Sequence, residues 1–244
     1  MPKYGGADIG FLLVGGYSVH RYVTAVDENH EAILEEPTVL GDTWETKALV
    51  NLRQFALSVS GFYDDVAGAS NEALVGLSGA SQVACMGFEG NTVGKKFIGF
   101  QGPVQTTYKR TATRGALHKV AADYRGSGQL EEGLVHWPLA TVSGATADGT
   151  AVDNTASSAL GGSAYFQVSA LVLGGYTNLA LKVLHSSDDI SYPALATATV
   201  VTAAPAAERV TVAGTVNRYT KGQYTFTGAG AGQSASIFIG FKRN

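Results

Sequence analysis

Glycines beside lysines, and serines, histidines and acids that could be brought together, are where chemistry would first show in this chain of 244 residues. The nearest approach to a phosphate-binding loop is Gly90-Asn91-Thr92-Val93-Gly94-Lys95-Lys96. Such a loop needs glycine where Glu89 stands and a metal-binding hydroxyl where Lys96 stands, so it fails at both ends. Gly228-Ala229-Gly230-Ala231-Gly232-Gln233 lacks the last glycine of a dinucleotide fingerprint and has strand-like runs on both sides, which reads as a hairpin loop. No Gly-x-Ser-x-Gly elbow occurs. His20, His30, His118, His136 and His185 never stand three to five residues apart, so no local motif offers two imidazoles to a metal; each reads as a surface or hydrogen-bonded structural histidine. Cys85 is the only cysteine, which excludes an intrachain disulfide and a cysteine zinc site, and its apolar setting reads as core packing. Asp64-Asp65 and Asp188-Asp189 are adjacent acids that would point to opposite faces of a strand, so they read as loop ends or caps. No catalytic, cofactor-binding or metal-binding residue emerges, and the chain is expected to be neither an enzyme nor a cofactor carrier.

The elements available to position side chains are strands. The 31 glycines, two methionines and many Val, Thr, Ser and Ala residues suit short strands and tight turns. Residues 1–46 show little periodicity beyond the apolar run Ile9 to Val14 and read as a strand or extended arm. From Arg53 onward Phe55, Leu57, Val59 and Tyr63 share one face, with Gln54, Ser58 and Ser60 on the other. Ser70 is placed to cap a short helix through Asn71 to Val75 that Gly76 would stop. Gln82 to Phe100 reads as a hairpin turning at Glu89 to Thr92, followed by extended runs at Gln105 to Tyr108 and Leu117 to Arg125. Gly, Ser, Thr and Asp then dominate from Gly126 to Asn154, which places a domain boundary between 137 and 138. Beyond it, runs at Tyr165 to Leu173, Leu179 to Leu184, Ala196 to Thr202, Arg209 to Ala213, Tyr219 to Phe226 and Ile237 to Phe241 suggest a second sandwich. The alternation of Leu179, Leu181, Val183 and of Ile237, Ile239, Phe241 predicts strands with one buried face.

Charge is the unusual feature. The formal net charge of -3 argues against a nucleic-acid-gripping protein. The start lacks the basic stretch and long apolar core of a signal peptide, and no run is long enough to span a bilayer, so no membrane anchor is expected. Within the chain, Asp27, Glu28, Glu31, Glu35, Glu36, Asp42 and Glu45 stand together without a Lys or Arg. Lys95, Lys96, Lys109, Arg110, Arg114, Lys119 and Arg125 are opposed between 95 and 125 only by Asp123. Two solvated faces, or an acidic loop lying over its own basic hairpin, would account for this. So would head-to-tail association of identical copies, the acidic region of one meeting the basic region of the next in rings or open stacks.

Asp8-Ile9-Gly10-Phe11-Leu12-Leu13-Val14, Leu40-Gly41-Asp42-Thr43-Trp44-Glu45 and Leu52 to Asp65 resemble the first half of siphovirus major tail tube proteins. Phe88 to Lys96, Arg114 to Lys119 and Ala203 to Tyr219 are similar to the same family. For residues 1–137, with their extended N-terminal arm and loop, the resemblance implies a tail-tube-like β-barrel or sandwich with one short flanking helix, in keeping with the all-β composition. Residues 138–244 exceed what a bare tube needs and are expected to form a separate β-sandwich displayed on its outside. The resemblance also implies hexameric rings stacked into a tube in the virion tail, after a period in the host cytoplasm. Its partners would be other copies, tape-measure, tail terminator and baseplate proteins, and double-stranded DNA passing without specific binding. In such a tube an acidic lumen would repel phosphate. A capsid decoration or cement protein, and a carbohydrate-binding module touching glycan through aromatics such as Tyr176 and Tyr192, are the alternatives from other classes.

Overall fold

The computed structural model describes residues 9–35, 48–75, 79, 81–126 and 128–244. The described residues are mostly β, about 60% strand and 3% helix, in two antiparallel sheets. Its first half runs β1 (Phe11–Val14), β2 (Tyr17–Ser18), β3 (Val23–Glu35), β4 (Ala48–Phe62), α1 (Ser70–Val75), β5 (Ser81–Gly87), β6 (Lys96–Thr111), β7 (Lys119–Gly126) and β8 (Leu130–Val142). The second half runs β9 (Thr146–Asp148), β10 (Val152–Asp153), β11 (Gly162–Val172), β12 (Asn178–Ser186), β13 (Ala194–Thr197), β14 (Ala206–Val212), β15 (Tyr219–Thr227) and β16 (Ser234–Arg243).

One sheet of 11 strands carries the order β14-β11-β16-β8-β6-β5-β1-β2, and a branch continues from β6 through β7 and β4 to β3. The other has five strands, β10-β15-β12-β13 with β9 beside β15. Apolar alternation explains how they stack. Ile237, Ile239 and Phe241 of β16 point with Phe166 and Val168 of β11 at Leu179, Leu181 and Val183 of β12, forming the core between the two sheets. The opposite faces of β16 and β11 bury Phe238 and Tyr165 against Phe11, Leu13, Cys85 and Phe97. A third core gathers Leu12, Val14, Phe55, Leu57, Phe100 and Tyr124 beneath α1, with Ala73 and Leu74 from the helix.

β1 therefore sends alternate residues into two cores, which is why all four of its side chains are 0% exposed. The same geometry corrects the expectation of a one-faced β16: Phe238 is also 0% exposed, because β1, β5 and β6 cover its second face. β12 keeps the expected single buried face, with Ala180 and Lys182 half-buried between the core leucines. Close stacking needs glycine at two crossings. A Cβ on Gly99 would lie 2.4 Å from the Tyr165 ring, and one on Gly240 would lie 2.5 Å from the Phe97 ring.

The helix falls where expected, but its start is built differently. The Ser70 hydroxyl donates to the Phe62 carbonyl at 2.7 Å and accepts from the Asp64 amide at 2.9 Å, tying α1 to the end of β4. Glu72 instead takes the free Gly68 amide at 2.6 Å. The runs at Phe97 to Phe100 and Gln105 to Tyr108 are one strand, β6, with a register shift between Gln105 and Thr107. The boundary expected between 137 and 138 lies inside β8, which pairs with β6 on one side and β16 on the other.

Two buried polar residues allow sharp tests of this packing. The Tyr124 hydroxyl is buried beneath α1 with no hydrogen-bond partner among the described residues. Removing an unpartnered buried hydroxyl relieves a desolvation cost. Tyr124→Phe should therefore leave stability unchanged or raise it by up to about 1 kcal/mol in chemical denaturation; a clear loss would mean that the hydroxyl has a partner. His136, on β8, bridges the sheets: Nδ1–H donates to the Leu134 carbonyl at 2.8 Å and Nε2 accepts from the Thr220 hydroxyl at 2.7 Å. Burial lowers its pKa to about 4, with the Leu134 bond opposing. The unfolded chain thus binds a proton near pH 6.5 that the folded chain refuses until about 4. The stabilisation is full above pH 6.5 and is lost as pH falls toward 4, amounting to about 3 kcal/mol across the window. His136→Gln should flatten the stability profile between pH 6.5 and 4, and the wild-type His136 imidazole signal should stay neutral by NMR through most of that range. A profile unchanged by the substitution would contradict this assignment.

Candidate assembly surface

The acidic and basic segments meet the fold on one four-stranded surface, β3-β4-β7-β6. Phe55, Leu57 and Val59 of β4 and Val120, Ala122 and Tyr124 of β7 are buried on its inner side. The alternate residues form its outer face. Register sets the rows: Asp27 opposes Ser58, Ser58 opposes Asp123, and Asp123 opposes Thr107. In the next rows Ala25, Ser60, Ala121 and Lys109 align, as do Asn29, Ala56 and Arg125. Glu31 opposes Gln54, and Phe62 opposes Lys119, which opposes Thr111. Ala56, Ser58 and Ser60 of β4 and Ala121 of β7 keep the middle of this face low, with acids on β3 and with Lys119 and Arg125 at the two ends of β7.

On the acidic side, Asp27 and Glu31 are exposed and Glu28 is half-buried, since it sits opposite Leu57 on the inner side. Glu31 accepts hydrogen bonds from Asn29 Nδ2 at 2.6 Å and Gln54 Nε2 at 3.0 Å. Glu35 ends β3, while Glu36, Asp42 and Glu45 lie outside the described residues. On the basic side the seven residues divide. Lys109 is exposed near the end of β6, Arg114 in the loop after it, and Lys119 and Arg125 at the two ends of β7. Arg110 lies 5.3 Å and 5.7 Å from the ring centroids of Tyr108 and Tyr63, on the inner side of the sheet. Lys96 opens the far end of β6, 13 residues before Lys109, or roughly 40 Å along a strand, and Lys95 stands just before it. Lys96 pairs there with Glu132.

Among the described residues no ion pair joins Asp27, Glu28 or Glu31 to Lys109, Arg114, Lys119 or Arg125. The strand order explains it: β3 lies two strands from β7, about 10 Å, and three from β6, about 14 Å across a sheet. Asp123 is the acid that the basic side keeps for itself. Hydrogen bonds from Thr107 at 2.5 Å and Ser58 at 2.7 Å hold its carboxyl below the ordinary aspartate range, with Arg125 adding attraction. Both outer strands carry open edges. β3 pairs only with β4, and Thr107 to Thr111 of β6 pair only with β7 among the described residues.

The adjacent acids serve loop ends. Asp64 accepts from the Val66 amide at 3.0 Å, and Asp188 accepts from Ser186 Oγ at 2.8 Å and the Ile190 amide at 3.0 Å. Tyr176 packs on the Phe226 ring at 5.7 Å, and the Lys221 ammonium covers one face of Tyr192 at 3.9 Å. Among the described residues no cluster of three His, Cys, Asp or Glu side chains could hold a metal.

The most heavily bonded charged group escaped the sequence reading. Glu131 on β8, 4% exposed, accepts Arg209 Nε at 2.9 Å and Nη2 at 2.8 Å in a two-pronged pair. It also accepts Ser163 Oγ at 3.0 Å and Tyr165 Oη at 2.5 Å. Burial works against its ionisation, but the bonds from Arg209, Tyr165 and Ser163 outweigh burial and hold its pKa below the ordinary value. With both carboxylate oxygens taken up by these donors, this is a structural joint. Glu131 and Arg209 lie 78 residues apart in sequence, with no local spacing to mark them.

No protein-family model and no curated protein matches the sequence. Among solved structures the chain is similar, at 12% identity, to a chain of the virion of a native gene transfer agent (GTA) particle, with TM-score 0.38, covering 53% of this chain and 98% of that one. A chain from the tail of an empty GTA particle with C6 symmetry gives 12% identity and TM-score 0.38 over 52% of this chain and 97% of that one. The SPP1 Dit (gp 19.1) protein, described as a paradigm of the hub adsorption apparatus in phages infecting Gram-positive bacteria, gives 12% and 0.34 over 96% and 99%.

Proposed function

We propose that this chain is a non-enzymatic structural subunit of a phage tail, and that it assembles as the tail tube in stacked rings of six. The observation that carries the proposal is the four-stranded surface with an acidic edge at β3 and a basic edge at the end of β6, which neither pair with a further strand nor form ion pairs with each other among the described residues. A surface with different, complementary sides associates heterologously, which closes into rings or runs on as a helix. The resemblance of Leu40 to Glu45, Leu52 to Asp65 and Ala203 to Tyr219 to siphovirus tail tube proteins supports the tail as the particle.

The acids act here chiefly as subunit contacts. A lumen lined by the outer face would present Lys109, Lys119 and Arg125 beside Asp27 and Glu31, so it would not repel phosphate uniformly. DNA would pass over a mixed, small-residue surface without a ladder of strong sites. In the same proposal residues 138–244 face outward, and tape-measure, terminator and baseplate proteins are the partners in the virion tail. Electron micrographs of the purified full chain test the reading: rings and open tubes are expected. Compact closed trimers would indicate a capsid decoration protein instead, and monomers that bind a glycan array would indicate a carbohydrate-binding module.

A further inference from the structure

A polar cavity of about 490 Å³ opens at the crease between the two halves of the chain. One wall is the turn Ser18 to Tyr22 with Asn91; the other is Leu139 to Thr141 of β8, Ser169 of β11 and Ser236 of β16. Two irregularities in the sheet shape that second wall. Ser169 occupies the register shift between Val168 and Ala170, and β8 shifts against β16 between Ile237 and Ile239. Asn91 clamps the shifted β8 segment, donating to the Leu139 carbonyl at 2.9 Å and accepting from its amide at 2.7 Å. Such bulges re-aim side chains out of a regular sheet.

The lining contains two bases, His20 and Arg21, the hydroxyl residues Thr141, Ser169 and Ser236 on the opposite wall, and no acid. Arg21 is exposed and makes no hydrogen bond or ion pair among the described residues. His20 Nδ1 meets Ser18 Oγ at 3.2 Å, which leaves Nε2 for another partner. The Thr141 and Ser236 hydroxyls share one hydrogen bond at 2.9 Å, so one of their two protons stays available. The Ser169 hydroxyl donates to the Ser236 carbonyl at 3.5 Å. From this set we infer that the cavity is a binding site for an oxyanion, a phosphate or a carboxylate, held by the Arg21 guanidinium, His20 and the remaining proton of the Thr141–Ser236 pair across the crease. Burial, and then Arg21 beside it, lower the pKa of His20, so at neutral pH the imidazole is a neutral hydrogen-bond donor through Nε2 and the Arg21 guanidinium supplies the positive charge.

The inference stands apart from the tube reading, since the cavity shares no residue with the β3 and β6 edges that carry that reading. Two probes separate the sources of the oxyanion: inorganic phosphate, and a synthetic peptide of residues 27–45, whose seven acids represent a second copy. Each is titrated into the purified full chain at constant ionic strength, following the amide NMR signals of Ser18 to Tyr22, Asn91 and Ser169. Saturable shifts confined to the cavity are expected, weakened at least tenfold in Arg21→Gln and in His20→Gln. Phosphate alone saturating marks a free-anion site, and the peptide saturating more tightly marks a docking point for another copy. If neither probe saturates, or if both substitutions leave binding unchanged, the inference is overturned.

Discussion

Replacing Arg209 with methionine is expected to destabilise the folded chain by about 3–5 kcal/mol, the largest loss of any single substitution considered for this fold. The cause is what remains. Glu131 would stay buried between β8, β11 and β14 with its two-pronged partner gone, keeping only the Ser163 and Tyr165 hydroxyls. A buried carboxylate without a counter-charge must either pay desolvation or take up a proton. Arg209→Met should therefore lower the denaturation midpoint strongly at neutral pH and less at acid pH, where Glu131 can be neutral. The double variant Glu131→Gln with Arg209→Met should regain much of the loss, because the charge leaves with its partner. Additive losses in the double variant would show that the two residues act separately.

Reversing charge on the β3 edge should have the largest effect on assembly. Asp27→Lys together with Glu31→Lys changes two exposed positions that make no ion pair within the described chain, so the folded subunit should retain its melting behaviour. Across a subunit boundary the same lysines would face Lys109, Lys119 and Arg125, and juxtaposed like charges cost several kcal/mol. The concentration needed for polymerisation should rise more than tenfold, or assembly should vanish. A second variant, Lys109→Glu with Lys119→Glu and Arg125→Glu, should fail alone in the same way. Mixing the two should restore alternating co-assembly through the swapped pair only if the boundary joins these edges. Wild-type assembly should also weaken between 0.05 M and 0.5 M salt as exposed charges are screened. Normal assembly of the Asp27→Lys, Glu31→Lys variant would remove β3 from the interface.

The strands that could be read from sequence are those with one buried face and little else to obscure their period. Leu179, Leu181 and Val183 with Ala180 and Lys182 between them give β12 directly, and Ser70 through Val75 gives the helix. β8 was hidden because it is buried unevenly and holds Glu131, His136 and Pro138, residues that suggest a turn or an exposed strand. Pro138 is tolerated because it lies in the stretch where β8 shifts register against β16. Phe238 looked like an outward residue because one strand cannot reveal that another layer covers its second face. The charge segments were plain in sequence, yet their division was not. Only the course of β6 places Lys96 beside Glu132 and Lys109 at the opposite end, and only the register brings Asp27 and Asp123 into one row. The Glu131–Arg209 joint and the cavity at Arg21 depend on residues distant in sequence that carry no motif at all.

The central claim, that the acidic strand of one copy meets the basic strands of the next, is tested most directly by zero-length carbodiimide cross-linking. The reagent joins carboxylates to lysine amines already in contact. Assembled protein prepared from equal parts of ¹⁵N-labelled and unlabelled chain would be cross-linked, digested and read by mass spectrometry. The account predicts mixed-isotope links from Asp27, Glu28 or Glu31 to Lys109 or Lys119, the two lysines of the basic side. Links from those acids found only within single-isotope chains, or mixed links that consistently avoid β3, would contradict it.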